Sequence, residues 1–222
     1  MTQLGVLRDT YNRTIRDLRI SVTDRCNFRC AYCLPETEEA ANFFLSKKNS
    51  DIQSCNEKKI THNWKHKSEI LTFEEIIRIV KTASSFGVNK IRITGGEPLL
   101  RRNIESLISS ISKLGSIKDL SLTSNGSRFP IFARKLKEAG LNRITLSLDS
   151  LNQKNFKRIT GFDGLQDIID SIEIAKSLEL TPIKVNAVII RGINDHEIES
   201  LVDFAIRKKI IMRMIEFMPL DS

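Results

Sequence analysis

Leu18-Arg19-Ile20-Ser21-Val22-Thr23-Asp24-Arg25-Cys26-Asn27-Phe28-Arg29-Cys30-Ala31-Tyr32-Cys33 is the stretch from which the fold of this 222-residue chain can be read. Its first five residues alternate apolar and polar side chains, the two-residue period of a strand with one buried face. That strand, Leu18 to Val22, delivers a loop carrying three of the four cysteines at C-x3-C-x2-C spacing. Three thiolates on one loop form a metal-ligand set. A [4Fe–4S] cube held by three thiolates keeps one iron open to a small molecule, whereas a closed structural zinc site needs a fourth protein ligand. The spacing favours the cube and leaves zinc as the alternative.

Outward from this loop the chain alternates helices with strands. Thr72, with Glu75 three residues later, forms a capping box ahead of Ile76, Ile77, Ile79 and Val80, and Gly87 ends that helix. Lys90–Thr94 reads as the second strand. The cycle repeats with helices near 103–114 and 131–139, the latter stopped at Gly140, each followed by a strand, 120–123 and 144–148. Helix 164–178 then precedes strand 183–190, and helix 195–207 precedes strand 210–217. Six strands separated by helices imply an α/β fold with parallel pairing and right-handed crossovers. Periodicity leaves a doubly wound sheet and a barrel both open, and in either the ligand site lies at the carboxyl ends of the strands.

The strand ends carry suitable groups. Strand two runs into Thr94-Gly95-Gly96-Glu97-Pro98, whose paired glycines let backbone approach a ligand closely. Thr123-Ser124-Asn125-Gly126, Ser147-Leu148-Asp149, Lys184-Val185-Asn186 and Arg213 through Met218 add hydroxyls, amides and cations, a set that suits a polar, phosphate-bearing molecule.

Composition narrows the classes. The 35 Lys+Arg against 27 Asp+Glu give a net charge of +8, fitting an anionic partner. Basic residues interleaved with aromatics, as a nucleic-acid groove needs, are absent from the sequence, so a small anion is expected and nucleic acid is not. Clustered cysteines are no disulfide framework and suggest a reducing compartment. Residues 1–17 show no apolar signal core, and no apolar run of about 20 residues suggests a membrane span. A soluble, cytoplasmic protein is expected. The polar stretch 36–69 reads as a mobile insertion in a single domain. It holds Cys55, His62, Trp64 and His66; the spacing of His62 and His66 could serve zinc, but incidental surface residues are the favoured reading.

C-x3-C-x2-C with Tyr32 before the last cysteine, followed by GGEP, resembles the radical S-adenosylmethionine (SAM) superfamily. The stretches IRDLRISVTDRCNFRCAYC, LTFEE, KIRITGGEPLLRR, LTSNG, AGLNRITLSLDS, VNAVIIRGIND and IEFMPL are similar to one branch of it, the GTP 3′,8-cyclase family of molybdenum cofactor biosynthesis. The resemblance implies a partial (β/α)6 TIM-type barrel, one [4Fe–4S] cluster and SAM. It implies a lyase in which a 5′-deoxyadenosyl radical abstracts the 3′ hydrogen of GTP, giving (8S)-3′,8-cyclo-7,8-dihydroguanosine 5′-triphosphate. Carried over by position, Cys26, Cys30 and Cys33 ligate the cluster, and Tyr32, Gly96, Ser147 and Met218 contact SAM. Arg19, Arg92, Thr123 and Lys184 bind GTP, with Lys90 and Arg213 near its phosphates. The family also carries a C-terminal second cysteine triad that holds guanine, and residues 1–222 contain none. An external electron donor is an expected partner, and a C-terminal module on another chain or a homodimer stays open. The alternatives are a radical SAM enzyme with another substrate, an inactive remnant, and a non-catalytic zinc protein.

Overall fold

The computed structural model describes residues 5–34 and 61–218. Residues 36–60 of the expected insertion, Cys55 among them, lie outside the described residues. Six strands form one sheet: β1 (Asp17–Ser21), β2 (Lys90–Thr94), β3 (Asp119–Ser124), β4 (Arg143–Ser147), β5 (Lys184–Ile189) and β6 (Ile211–Glu216). Every neighbouring pair is parallel, and the spatial order is the chain order.

That order decides between the two architectures. A doubly wound sheet reverses strand order part-way so that helices cover both faces. An order that never reverses, with crossovers of one hand, puts every helix on the same face, and the other face becomes the inside of a barrel. β1 and β6 are its two edges and are not paired with each other, so the barrel is partial.

The helices are α1 (Phe73–Ser85), α2 (Ile104–Ser112), α3 (Phe129–Glu138), α4 (Gln153–Thr160), α5 (Leu165–Ser177) and α6 (Ile198–Lys208). The capping box is present: the Thr72 side chain accepts from Glu75 N, and the Glu75 carboxylate accepts from Thr72 N. Gly87 follows α1 at φ +94° and Gly140 follows α3 at φ +100°, left-handed positions that glycine adopts without strain. α4 is the one helix that the sequence reading lacks. Only Phe156 and Ile159 are apolar within it, too few for a visible stripe, yet Asn152 caps its start and Gly161, at φ +67°, ends it.

Strand alternation separates two environments. Ile91, Ile93, Leu120, Leu122, Ile144, Leu146 and Val185 point to the helices and are buried in the main core. Each contributes about 1.5–3 kcal/mol on leaving water. Their neighbours Arg92, Thr94, Ser121, Thr123, Arg143, Thr145, Lys184 and Asn186 line the concave side. Register stacks these into rows: Arg19, Arg92, Ser121 and Arg143, then Thr123, Thr145 and Lys184, then Ser147, Asn186 and Arg213. Among the described residues no helix is long and apolar enough to cross a membrane.

Candidate functional site

The cysteine loop leaves the end of β1 and lies against the strand-two turn. Gly96 N donates to Thr23 O at 2.7 Å and Glu97 N to Arg25 O at 2.7 Å. A Cβ on Gly95 would stand 2.6 Å from Thr23 O, and one on Gly96 would run into the carbonyls of Asp24 and Arg25. The paired glycines are therefore required first by the backbone of the cysteine loop, which they allow to dock on β2.

Two buried carboxylates brace the loop from either side. Glu97 accepts from Leu99 N at 3.0 Å, Ser124 Oγ at 2.9 Å and Asn125 N at 2.7 Å. Asn125 in turn donates through Nδ2 to Asn27 Oδ1 at 3.0 Å and lies 3.8 Å from Cys26 Sγ. Asp149 accepts from Tyr32 Oη at 2.7 Å and Val188 N at 2.8 Å, tying the loop to β5. Burial pushes the Asp149 carboxyl up to about 6 and the Tyr32 phenol well above its ordinary range. The C-terminal end of α4 supplies a third brace: Arg29 N donates to Thr160 O at 2.8 Å and Ala31 N to Ile159 O at 3.0 Å. Phe28 stacks on Phe162 at 4.6 Å between centroids and meets Phe156 edge-on.

Three thiols are thus presented on a rigid loop, Cys26 and Cys30 partly buried and Cys33 exposed. Burial raises the pKa of all three; Asp149 and the other two cysteines raise that of Cys30 further. Such thiols give up their protons when a bound metal supplies positive charge. Among the described residues no three His, Cys, Asp or Glu side chains ring a single metal ion. A four-iron cube takes its thiolates at three separate corners, a wider set than one ion requires, and three thiols near one another on a single loop fit it. His66 is engaged as the cap of a short turn, its Nδ1 accepting from Ser68 N.

The concave side of the sheet holds the second part of the site. Lys184 is pushed below its ordinary range by burial and then by Arg143, Arg213 and Arg92; Arg213 is lowered by burial and then by Arg92 and Arg143. These four cations therefore share one space. Arg92 Nε, Arg143 Nη1, Arg213 Nε, Thr145 Oγ1 and Asn186 Oδ1 are buried there without hydrogen-bond partners among the described residues. Among the described residues, Asp119 is the anion set among them, bonded to Arg143. Of the expected GTP residues, the structure brings Arg92, Lys184 and Arg213 together, with Thr123 beside them in the Lys184 row. Arg19 pairs with Arg92 in register, and Lys90 with Asp119; both are exposed. Of the expected SAM residues, Tyr32 and Gly96 lie on or against the loop, Ser147 ends β4 on the concave side, and Met218 is exposed just past β6. Arg143 and Thr145 were not chosen from the sequence as binding residues, and Asn186 was named there only as a polar strand end. The alternation of Arg143-Ile144-Thr145-Leu146-Ser147 was the available signal, because it places Arg143 on the face of Ser147.

Residues 20–205 match the sequence profile of the Radical SAM superfamily. A GTP 3′,8-cyclase of Acidothermus cellulolyticus is 45% identical over 97% of this chain and 55% of its own length. One of Desulforamulus reducens is 46% identical over 96% of this chain and 59% of its own length. The chain thus spans between half and two thirds of these relatives. Among solved structures, SuiB of Streptococcus suis bound to S-adenosylmethionine superposes with a TM-score of 0.61 at 23% identity, covering 93% of this chain and 41% of that one. Methylornithine synthase (PylB) gives a TM-score of 0.66 at 16% identity, covering 95% of this chain and 56% of that one. At these identities the two structures share the fold.

Proposed function

The chain belongs to the radical SAM superfamily, which uses a [4Fe–4S] cluster and SAM, and from that premise we propose that it is the barrel of a GTP 3′,8-cyclase of molybdenum cofactor biosynthesis. Cys26, Cys30 and Cys33 hold the cluster. Tyr32, Gly96, Ser147 and Met218 flank SAM at the carboxyl ends of the strands. When bound, the two groups supply a one-electron reduction and a hydrogen-abstracting radical, fed by an external electron donor. The protein's own residues place the substrate. Arg92, Lys184 and Arg213, with Arg19 and Lys90 at the rim, neutralise the triphosphate, and Thr123 offers a hydroxyl beside them.

The order of the rows sets the substrate's direction. Arg92 lies in the row nearer the amino ends of the strands and Ser147 in the row nearer the carboxyl ends. A triphosphate drawn down to Arg92 and Lys184, with Arg213 above them in the Ser147 row, leaves its ribose facing the cysteine loop, so that the 3′ carbon meets the reactive end of the site. Asp149 holds Tyr32 at the edge of that space.

The observation that carries the reading is the group of interior cations with unpartnered nitrogens. A buried guanidinium nitrogen without a partner is costly, and an entering polyanion removes that cost. Residues 1–222 read as one domain containing the 36–69 insertion, in a cytoplasmic protein. They hold no second cysteine triad. On this reading guanine is held by residues outside this stretch, on the same polypeptide, a separate module or a partner copy.

Anaerobic reconstitution with iron and sulfide, followed by assay of 5′-deoxyadenosine with and without GTP, tests the proposal. Cleavage of SAM stimulated by GTP is expected. A reconstituted protein that cleaves SAM indifferently to GTP and does not bind it would point to a radical SAM enzyme with another substrate.

A further inference from the structure

Arg143 differs from the other interior cations. It is 8% exposed, yet only two of its three guanidinium nitrogens are used: Nε donates to Asp119 Oδ1 at 2.8 Å and Nη2 to Asp119 Oδ2 at 2.7 Å. Nη1 is buried and has no hydrogen-bond partner among the described residues. A bidentate pair with a carboxylate fixes the plane of the guanidinium, so the direction of the third nitrogen is fixed with it. Strand alternation turns the side chain to the concave face, since Ile144 and Leu146 are buried against the helices.

A purely structural ion pair gives no reason for this arrangement. Burying a charge pair is at best marginal for stability, and here it is done beside three further cations, with one donor left empty. The arrangement becomes favourable when an anion enters. Asp119 keeps the empty barrel from carrying the full repulsion of Arg143, and a phosphate oxygen completes the nitrogen that Asp119 leaves.

We propose that Arg143 is a phosphate-binding residue of the barrel interior, with Asp119 as the residue that positions it, and that together they read the terminal phosphates of the substrate. This rests on the reading of the barrel as a GTP site. Arg143 shares the row of Arg92 and Ser121, two residues nearer the strand amino ends than Thr145 in the Lys184 row. Two strand residues span about 6.6 Å. That depth places Arg143 at the far end of a triphosphate whose ribose faces the cysteine loop, beyond the reach of a monophosphate.

Anaerobic calorimetric titration of the full chain with GTP, GMP and inorganic triphosphate tests the assignment. Wild type is expected to prefer GTP to GMP. Arg143→Gln should weaken GTP and inorganic triphosphate by about 10–100-fold, as loss of a charge-assisted contact does, and leave GMP within about twofold. Asp119→Asn, which keeps the cation but frees its plane, should cost GTP about 3–10-fold by the same measure. Arg143→Lys should recover part of the loss. A merely structural role lowers the melting temperature and leaves the ratio of GTP to GMP affinity unchanged. An unchanged ratio in Arg143→Gln, or in both Arg143→Lys and Asp119→Asn should the first variant not fold, overturns the proposal. Failure of the underlying reading shows separately, as wild-type protein that binds neither GTP nor triphosphate.

Discussion

The braces around the cysteine loop and the concave floor of the barrel are both polar, but they are finished in opposite ways. Around the loop, each buried carboxylate is satisfied: Glu97 has three donors and Asp149 has two. On the floor, three arginines and the polar side chains of Thr145 and Asn186 keep atoms without partners. A satisfied network is scaffolding, because its groups gain nothing from a ligand. The three arginine nitrogens are unpartnered donors, which mark a place that an anion completes, while the Asn186 amide oxygen beside them is an acceptor. Stability resides in the first region and binding in the second, and perturbing each should separate the two.

The largest effect is expected at the loop itself. Replacing any one of Cys26, Cys30 or Cys33 by Ala should abolish cluster assembly and SAM cleavage, read as iron and sulfide content and 5′-deoxyadenosine, while circular dichroism stays that of the folded barrel. Glu97→Ala comes next. It strands Ser124 Oγ and the amides of Leu99 and Asn125, so denaturant unfolding should show a loss of about 2–4 kcal/mol. Retained stability would mean that the loop is not braced from β3.

Acidity probes the same brace. The Asp149 carboxyl titrates near 6 in the folded protein and at the ordinary 3.8 when unfolded. Between those values the folded state holds the extra proton, so this group's contribution to stability falls as pH rises from about 4 through about 6. Stability curves for wild type and Asp149→Asn should diverge across that window by on the order of 2–3 kcal/mol, with wild type losing ground at the upper end. Parallel curves would show Asp149 ionised as freely as on the surface.

The smallest effect has the opposite sign. Lys184→Met removes one of several mutually repelling cations, so the ligand-free protein should become more stable by about 0.5–1 kcal/mol while GTP affinity falls about tenfold. A variant that loses stability and keeps GTP would erase the distinction between the two regions.

Much of the site is visible in the chain because its signals are local. Cys26, Cys30 and Cys33 are tied by covalent spacing, and Arg92 and Lys184 stand in strands whose alternation shows their face. Asp149 was seen only as a polar strand end, since its partner Tyr32 is 117 residues away and no pattern links them. Glu97 was read within a ligand turn, although its carboxylate reaches β3. Arg143 was passed over because a lone arginine at a strand start resembles solvated surface; burial beside Asp119 separates it from that case. Helix α4 was missed because its caps, Asn152 and Gly161, flank too few apolar residues.

The sequence by itself determined six strands with helices between them, the capped start of α1, the stops at Gly87 and Gly140, and a loop able to hold a metal cluster. Those follow from repeat periods and backbone preferences that act over a few residues. Only the tertiary structure decided that the sheet keeps chain order and curls, because a strand's period does not name its neighbour. It also decided which polar groups find partners and which are left open, since hydrogen bonding across the barrel depends on side chains that distant strands bring within about 3 Å.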